Sequence, residues 1–389
     1  MKILYITHYS KLYGANKSML YLIKDMIKRY NVTPIVLCPN EGELTEELKK
    51  NNIEYYSIRH YRWMIEGKNN VIRSIIKKFL NKYIIYPKIY YIFKNMNIDL
   101  IHTNSSVISI GVYLSKRLGI PHVWHLREFG HKDYNLKYIY NFNYVRKMFE
   151  SADCLIAISS SIEKHYRNLA PKSKIKLVYN GINNKAYTNM ARQDVDILNF
   201  CCVGLINDNK NQMEIIRAVN NLVKKNTSGF IVNIIGDGDK DYIDKIISYI
   251  DKNNLEKYVN LWGYRNDIDK ILPRMQVGII PSKKEAFGRV TVEYMMNKLP
   301  VIGSDGGGTS EIIRDNVTGY LYKSGNFEEL SKCMSKYIKD KQLREKHGKN
   351  AFEDSIDRFT MEANTNSIYS IYIKLIYKKE LVWNWITNL

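Results

Sequence analysis

Short apolar runs of strand length alternate with amphipathic stretches of helical period along most of this chain. In the first half the runs are Lys2–Thr7, Thr33–Leu37, Leu100–His102, His122–His125 and Cys154–Ile158, separated by stretches such as Ser18–Arg29 and Val107–Leu118. A polar stretch, Asn183–Asp196, interrupts the pattern. It restarts with Asn199–Val203, Phe230–Ile235, Val259–Trp262, Val277–Pro281 and Pro300–Gly303, most of them followed by helical patterns. Runs that are apolar throughout, rather than at every second residue, belong to parallel strands covered by helices on both faces. The chain is therefore expected to be α/β, with two doubly wound domains at residues 1–190 and 191–360 and a linker near residue 190. The tail, Met361–Leu389, is a long helical pattern rich in Ile and Tyr.

The length agrees with that division, since 389 residues is long for one core. No apolar run approaches the ~20 residues needed to span a bilayer. The opening MKILYIT is short for a leader and reads as a first buried strand. Five cysteines, Cys38, Cys154, Cys201, Cys202 and Cys333, lack metal-type spacing and read as reduced core thiols of a cytoplasmic protein. The net charge of +20 changes the picture more. It admits nucleic acid, an anionic membrane surface or an acidic substrate as partner, alongside a merely solvated basic surface.

The candidate chemistry is densest in PSKKEAFGRVTVEYMMNKLPVIGSDGGGTSEII, Pro281–Ile313. VGIIPS reads as a strand ending at Pro281 and RVTVEYMMN as a helix beginning near Gly288. Glu285 then lies in the loop above the strand, and Glu293 about one turn into the helix. Backbone N–H groups at the helix start face an anion between them. Ionised carboxylates only accept hydrogen bonds, so each suits a pair of hydroxyls rather than a phosphate. A ligand with hydroxyls at both ends and a diphosphate between them fits that arrangement.

The Glu-x7-Glu pattern with its following small-residue loop resembles the donor site of retaining GT-B glycosyltransferases of the family 4 type. WHLREFG at 124–130, VYNGIN at 178–183 and VGLINDNKNQMEIIRA at 203–218 match that family in order, and the resemblance covers nearly the whole chain. It implies two Rossmann-like domains facing a cleft. The first receives a glycan or lipid-linked glycan acceptor, the second binds a nucleotide sugar such as a UDP-sugar, and residues 361–389 return to the first domain. An amphipathic cap on the second domain is the other placement for that tail.

Roles carried over from the resemblance fall on particular residues. Lys210 neutralises the diphosphate beside Gly204, Gly236 and the turn Phe287, Gly288, Arg289 and Val290. Glu285 holds sugar hydroxyls, and Glu293 clasps the ribose diol. Tyr264 and Arg265 edge the base, while Gly14 and Ala15 face the diphosphate from the first domain. His125 contacts the donor sugar or stabilises charge near the anomeric carbon, Asn104, Ser105 and Ser106 offer neutral hydrogen bonds, and Arg127 and Glu128 pair or face the acceptor. Where the family has an arginine after the glycine this chain has Leu205, and Arg289 or Lys284 is left to replace it. The mechanism implied is front-side displacement without a metal, with double displacement through a carboxylate as the alternative. Asp237/Asp239 and Asp194/Asp196 form Asp-x-Asp pairs, the metal–diphosphate signature of another transferase fold, with nothing else in the chain to support it.

Arg59–Lys94 holds nine Lys or Arg and one acidic residue, interleaved with aromatic rings. That composition predicts docking of the first domain on an anionic membrane, at the inner face of the cell membrane. Two other activities on the same fold compete: a sugar-nucleotide epimerase, and a phosphorylase carrying pyridoxal phosphate. A basic nucleic-acid-binding protein is the non-enzymatic reading. It lacks a recognisable binding motif, so no nucleic-acid partner is expected.

Overall fold

The apolar runs become buried parallel strands. The computed structural model describes residues 1–66, 71–183 and 196–387. The first set of strands is β1 (Lys2–Ile6), β2 (Thr33–Cys38), β3 (Glu54–Ser57), β4 (Met64–Glu66), β5 (Leu100–Thr103), β6 (His122–Leu126), β7 (Leu136–Tyr138), β8 (Cys154–Ala157) and β9 (Ile175–Leu177). The second is β10 (Leu198–Val203), β11 (Phe230–Ile235), β12 (Val259–Leu261), β13 (Val277–Ile280), β14 (Val301–Ser304) and β15 (Gly319–Tyr322).

The chain divides into two compact units, Met1–Gly181 with Met361–Leu389, and Ile182–Thr360. The linker expected near residue 190 lies outside the described residues. The first unit holds a seven-stranded sheet in the order β3-β2-β1-β5-β6-β8-β9, and the second a six-stranded sheet in the order β12-β11-β10-β13-β14-β15. Every pairing in both is parallel. In each sheet the order turns back once, between β1 and β5 and between β10 and β13. That reversal leaves a crevice above the carboxyl ends of the two strands, where open α/β sheets bind ligands.

Strand burial follows the sequence. Ile3, Leu4, Tyr5 and Ile6 of β1 are fully buried, as are Phe200 and Cys201 of β10. A side chain on Gly278 in β13 would collide with the ring of Tyr294, 2.1 Å from where its Cβ would stand. The missing side chain is what lets helix Arg289–Met296 lie close on the sheet. The Tyr294 hydroxyl then accepts a hydrogen bond from the N–H of Val203 at 2.7 Å, tying that helix to the end of β10.

The five cysteines are free and buried. The terminal helix, Met361–Thr387, packs on helix Gly14–Tyr30 of the first unit. Tyr369 stacks on Tyr30 with ring centres 3.6 Å apart, and the Tyr30 hydroxyl donates to Asn366 at 2.7 Å. The short strands β3, β9 and β15 and the antiparallel ribbon β4–β7 have no counterpart in the sequence pattern. They are three or four residues long. β3, Glu-Tyr-Tyr-Ser, is an edge strand with no fully buried residue.

Candidate active site

In the second unit the loops leaving β10 and β13 are laced together above the sheet reversal. The N–H of Lys283 donates to the carbonyl of Asn209 at 2.8 Å, and Asn209 Nδ2 donates to the carbonyl of Lys284 at 3.3 Å. The Lys283 ammonium grips both oxygens of Asp208. This lacing sets Lys210 opposite Glu285, whose Oε2 accepts from Lys210 Nζ at 2.5 Å. Both side chains are partly exposed, so the pair stands at the surface of the crevice.

Helix Arg289–Met296 starts immediately beyond. Its N-cap, Gly288, has φ of 104°, a left-handed value that suits glycine. A Cβ there would lie 3.5 Å from Glu285 Cγ, so the carboxylate stem runs beside the helix start. The ammonium, the carboxylate and the backbone of that turn thus meet in one place. One turn along, Glu293 Oε1 faces Arg289 at 3.4 Å. The two carboxylates flanking Gly288 therefore engage different cations. The Phe287 side chain is buried and packs edge-on against Phe359. Val290 is half-buried. Leu205 is exposed, and Lys284 is exposed beside the same loop.

The three consecutive glycines explain themselves in space. A Cβ on Gly306 would meet the carbonyl of Lys283 at 2.5 Å, one on Gly307 that of Glu285 at 2.3 Å, and one on Gly308 that of Phe287 at 2.4 Å. The Gly308 N–H donates to the Glu285 carbonyl at 2.7 Å. The glycine loop is a brace that fixes the backbone of the Glu285 loop rather than a free turn. Gly236 plays a similar part, because a Cβ on it would stand 1.9 Å from the carbonyl of Gly204. The backbone it approaches is that of the Lys210 loop.

Tyr264 and Arg265 follow the edge strand β12, with Tyr264 largely exposed and Arg265 in a two-bond pair with Asp267. Asp237 accepts from the N–H of Gly238, and Asp239 caps helix Lys240–Lys252 through the N–H of Tyr242. Asp194 lies outside the described residues. Among the described residues, no three His, Cys, Asp or Glu side chains gather as metal ligands would.

In the first unit, Gly14 is exposed and Ala15 half-buried at the start of helix Gly14–Tyr30. Asn16 fixes that start by donating to the carbonyls of Tyr9 and Lys11. His125 stands one residue before the end of β6, and its ring is buried. Arg127 Nη2 lies 3.3 Å from His125 Nδ1, and a guanidinium only donates, so that nitrogen accepts. His102 Nε2 donates to the same atom at 3.2 Å, and His102 Nδ1 receives the Tyr372 hydroxyl at 2.5 Å. The proton of His125 is left on Nε2, a buried donor with no hydrogen-bond partner among the described residues.

Asn104, Ser105 and Ser106 do not stand open as neutral hydrogen-bonding groups. Asn104 accepts from Arg127 at 2.6 Å and donates to the carbonyl of Ala15 at 3.2 Å. The hydroxyls of Ser105 and Ser106 and the Ser106 N–H all converge on Glu128 Oε1. Burial pushes that carboxyl above the usual carboxylate range. Arg127 also donates to Asn180 at 2.7 Å. Arg127 and Glu128 thus organise the loops after β5 and β6. The sequence motif marked these residues without telling which of them were enclosed.

Two doubly wound units, the second with paired carboxylates and an ammonium at its sheet reversal, have the architecture of a GT-B protein. Two family models match the chain in tandem: Glycosyltransferase Family 4 over residues 13–185 and Glycosyl transferases group 1 over residues 193–354. The chain belongs to the GT-B glycosyltransferases of the family 4 type. An uncharacterized glycosyltransferase of Methanocaldococcus jannaschii is 29% identical over 362 residues, 88% of this chain and 97% of that protein. The UDP-Gal:alpha-D-GlcNAc-diphosphoundecaprenol alpha-1,3-galactosyltransferase of Escherichia coli is 25% identical over 364 residues, 88% of this chain and 89% of that one. The fold is that of the Anabaena HepE protein solved with UDP, at a TM-score of 0.81 and 20% identity over 96% of this chain and 100% of that one.

Proposed function

We propose that this glycosyltransferase moves a sugar, with retention and without a metal, from a UDP-sugar to a lipid-linked glycan in bacterial surface-polysaccharide synthesis. Its place of work is then the inner face of the cell membrane. The observation that carries the donor assignment is the meeting of Lys210, Glu285 and the Gly288 turn at the reversal of the second sheet. An ammonium beside a helix start suits a diphosphate. The activity named for the Escherichia coli relative supports UDP and a diphospholipid acceptor.

In the reaction, the bond from the anomeric carbon to the diphosphate oxygen breaks as the acceptor oxygen bonds to the same face. The acceptor proton passes to the departing diphosphate oxygen. Lys210 and the turn N–H groups stabilise the charge growing on that oxygen. Glu285 orients the sugar by its hydroxyls, and Glu293 receives the ribose diol. Neither carboxylate acts as an obligatory base.

The test is transfer of labelled sugar from a panel of UDP-sugars to polyprenyl-diphosphate-linked acceptors, run with and without EDTA. Labelled lipid product should form, and its rate should survive the chelator. Loss of transfer in EDTA with recovery on adding Mg or Mn would contradict the metal-free account. Conversion of the sugar nucleotide with no acceptor present would favour an epimerase.

A further inference from the structure

Helix Val71–Leu80 carries its apolar side toward solvent. Ile72, Ile75, Ile76 and Phe79, with Tyr83 one turn further on, recur at the spacing of a single helical stripe. All five are exposed, at 53–70%. The side turned toward the rest of the unit is polar: Ser74 and Asn81 are buried, and Lys77 and Lys78 are half-buried. Asn81 exchanges two hydrogen bonds with the backbone of Tyr61, at 3.0 and 2.9 Å. The Lys78 ammonium sits 4.1 Å from the ring centre of Tyr140. The helix runs on through a π-helical turn, Asn81–Ile85, into helix Tyr86–Phe93, whose Tyr86, Ile89 and Phe93 are buried. A polar underside and a firmly packed continuation therefore hold a contiguous apolar stripe outward.

Scattered exposed apolar residues need no explanation, but a contiguous stripe marks an interaction surface. The charge around it selects the partner. Val71–Phe93 contains Arg73, Lys77, Lys78, Lys82 and Lys88 and no Asp or Glu. A second copy docked symmetrically on this stripe would bring these cations together with no carboxylate in the segment to offset them. An anionic bilayer meets both features at once, taking the stripe at the headgroup–acyl boundary and the basic rim against lipid phosphates. No helix among the described residues is long and apolar enough to cross a membrane, so the contact is interfacial.

We propose that helix Val71–Leu80 with Tyr83 is an interfacial anchor that lies in the surface of an anionic membrane with Ile72, Ile75, Ile76 and Phe79 inserted. The surface itself is argued from this helix alone. Its purpose, to bring a lipid-linked acceptor within reach, rests on the function proposed above.

The probe is flotation of the full chain with vesicles of phosphatidylglycerol and phosphatidylcholine, against phosphatidylcholine alone. The wild type should float with the anionic vesicles, less at high salt. Changing Ile75, Ile76 and Phe79 together to Ser should cut partitioning on the order of a hundred-fold. Those positions are exposed, so the melting temperature should hold. In a Phe79→Trp variant, lipids brominated on the acyl chain should quench the added emission. Three results would overturn the anchor: no flotation of the wild type at low salt, equal flotation of the triple variant, or a dimer in solution that the triple variant abolishes. UDP titration run in parallel separates the two proposals. Lost flotation with intact UDP binding removes only the anchor, whereas flotation without UDP binding removes only the donor reading.

Discussion

Replacing Lys210 by Met should lower turnover on the order of a hundred- to a thousand-fold, the usual effect of removing one preorganised donor from a developing oxyanion. Methionine keeps most of the stem and deletes the ammonium, so the loss reports charge rather than packing. The loop should stay in place, because the Lys283–Asn209 backbone bond and the Lys283–Asp208 pair do not involve the Lys210 side chain. Glu285 loses its partner at 2.5 Å, and UDP affinity should fall as well. Lys210→Arg should recover part of the rate, since the charge returns on a group of different shape. Steady-state kinetics with a fixed acceptor would measure this. Turnover of Lys210→Met within about tenfold of wild type would remove Lys210 from leaving-group stabilisation.

The second large effect is on stability and comes from histidines the reaction does not need in charged form. Burial, with Arg127 close to two of them, holds His102 and His125 well below the ordinary imidazole value, and burial takes His122 down to about 3. Each is neutral in the folded chain but titrates near 6.5 when unfolded. Between those values the unfolded chain binds more protons, so their contribution is present above pH 6.5 and is lost as pH falls. Three such groups cost about 4 kcal/mol per pH unit. For a unit of this size that is on the order of 10 °C per pH unit. Scanning calorimetry between pH 6.5 and 5 should show this slope, in a range where ordinary carboxylates hardly titrate. Glu128 works in the opposite sense, because its raised value removes stability as pH rises above the usual carboxylate range. A flat profile across the window would mean that the histidines are solvated rather than enclosed.

Much of the architecture was legible because parallel strands covered on both faces must be apolar throughout. Lys2–Thr7 and Phe230–Ile235 announce themselves in that way, and observed β11 has the bounds that the pattern predicts. The ribbon β4–β7 was not legible, since three residues per strand cannot establish a period. The Glu285 turn could be read because a strand, a glycine and a helix start succeed one another within a few residues. What holds Lys210 against it could not be read, because the lacing is made by backbone groups of Asn209 and Lys283, far apart in sequence. In sequence Gly306, Gly307 and Gly308 suit a close backbone approach and a mobile turn equally, and only the structure shows the approach and its object, the backbone of residues 283–287. The enclosure of His125 was not legible for a related reason. A strand residue one place from its end is enclosed or open depending on its neighbours, and here the neighbours are His102 and Arg127. The outward stripe of helix Val71–Leu80 was hidden too, because a helical period does not say which face meets solvent.

The donor assignment puts a nucleoside diphosphate across the Gly288 turn of the second unit, with Glu293 on the ribose. Calorimetric titration of UDP into the wild type and Glu293→Ala tests it most directly. Loss of a charged hydrogen-bonding partner costs on the order of 2 kcal/mol, or about thirtyfold in affinity. Glu293 is partly exposed, so the melting temperature should barely move. Saturable UDP binding by the wild type and about thirtyfold weaker binding by the variant are expected. Equal affinity in the two proteins, or no heat of binding from the wild type, would contradict it.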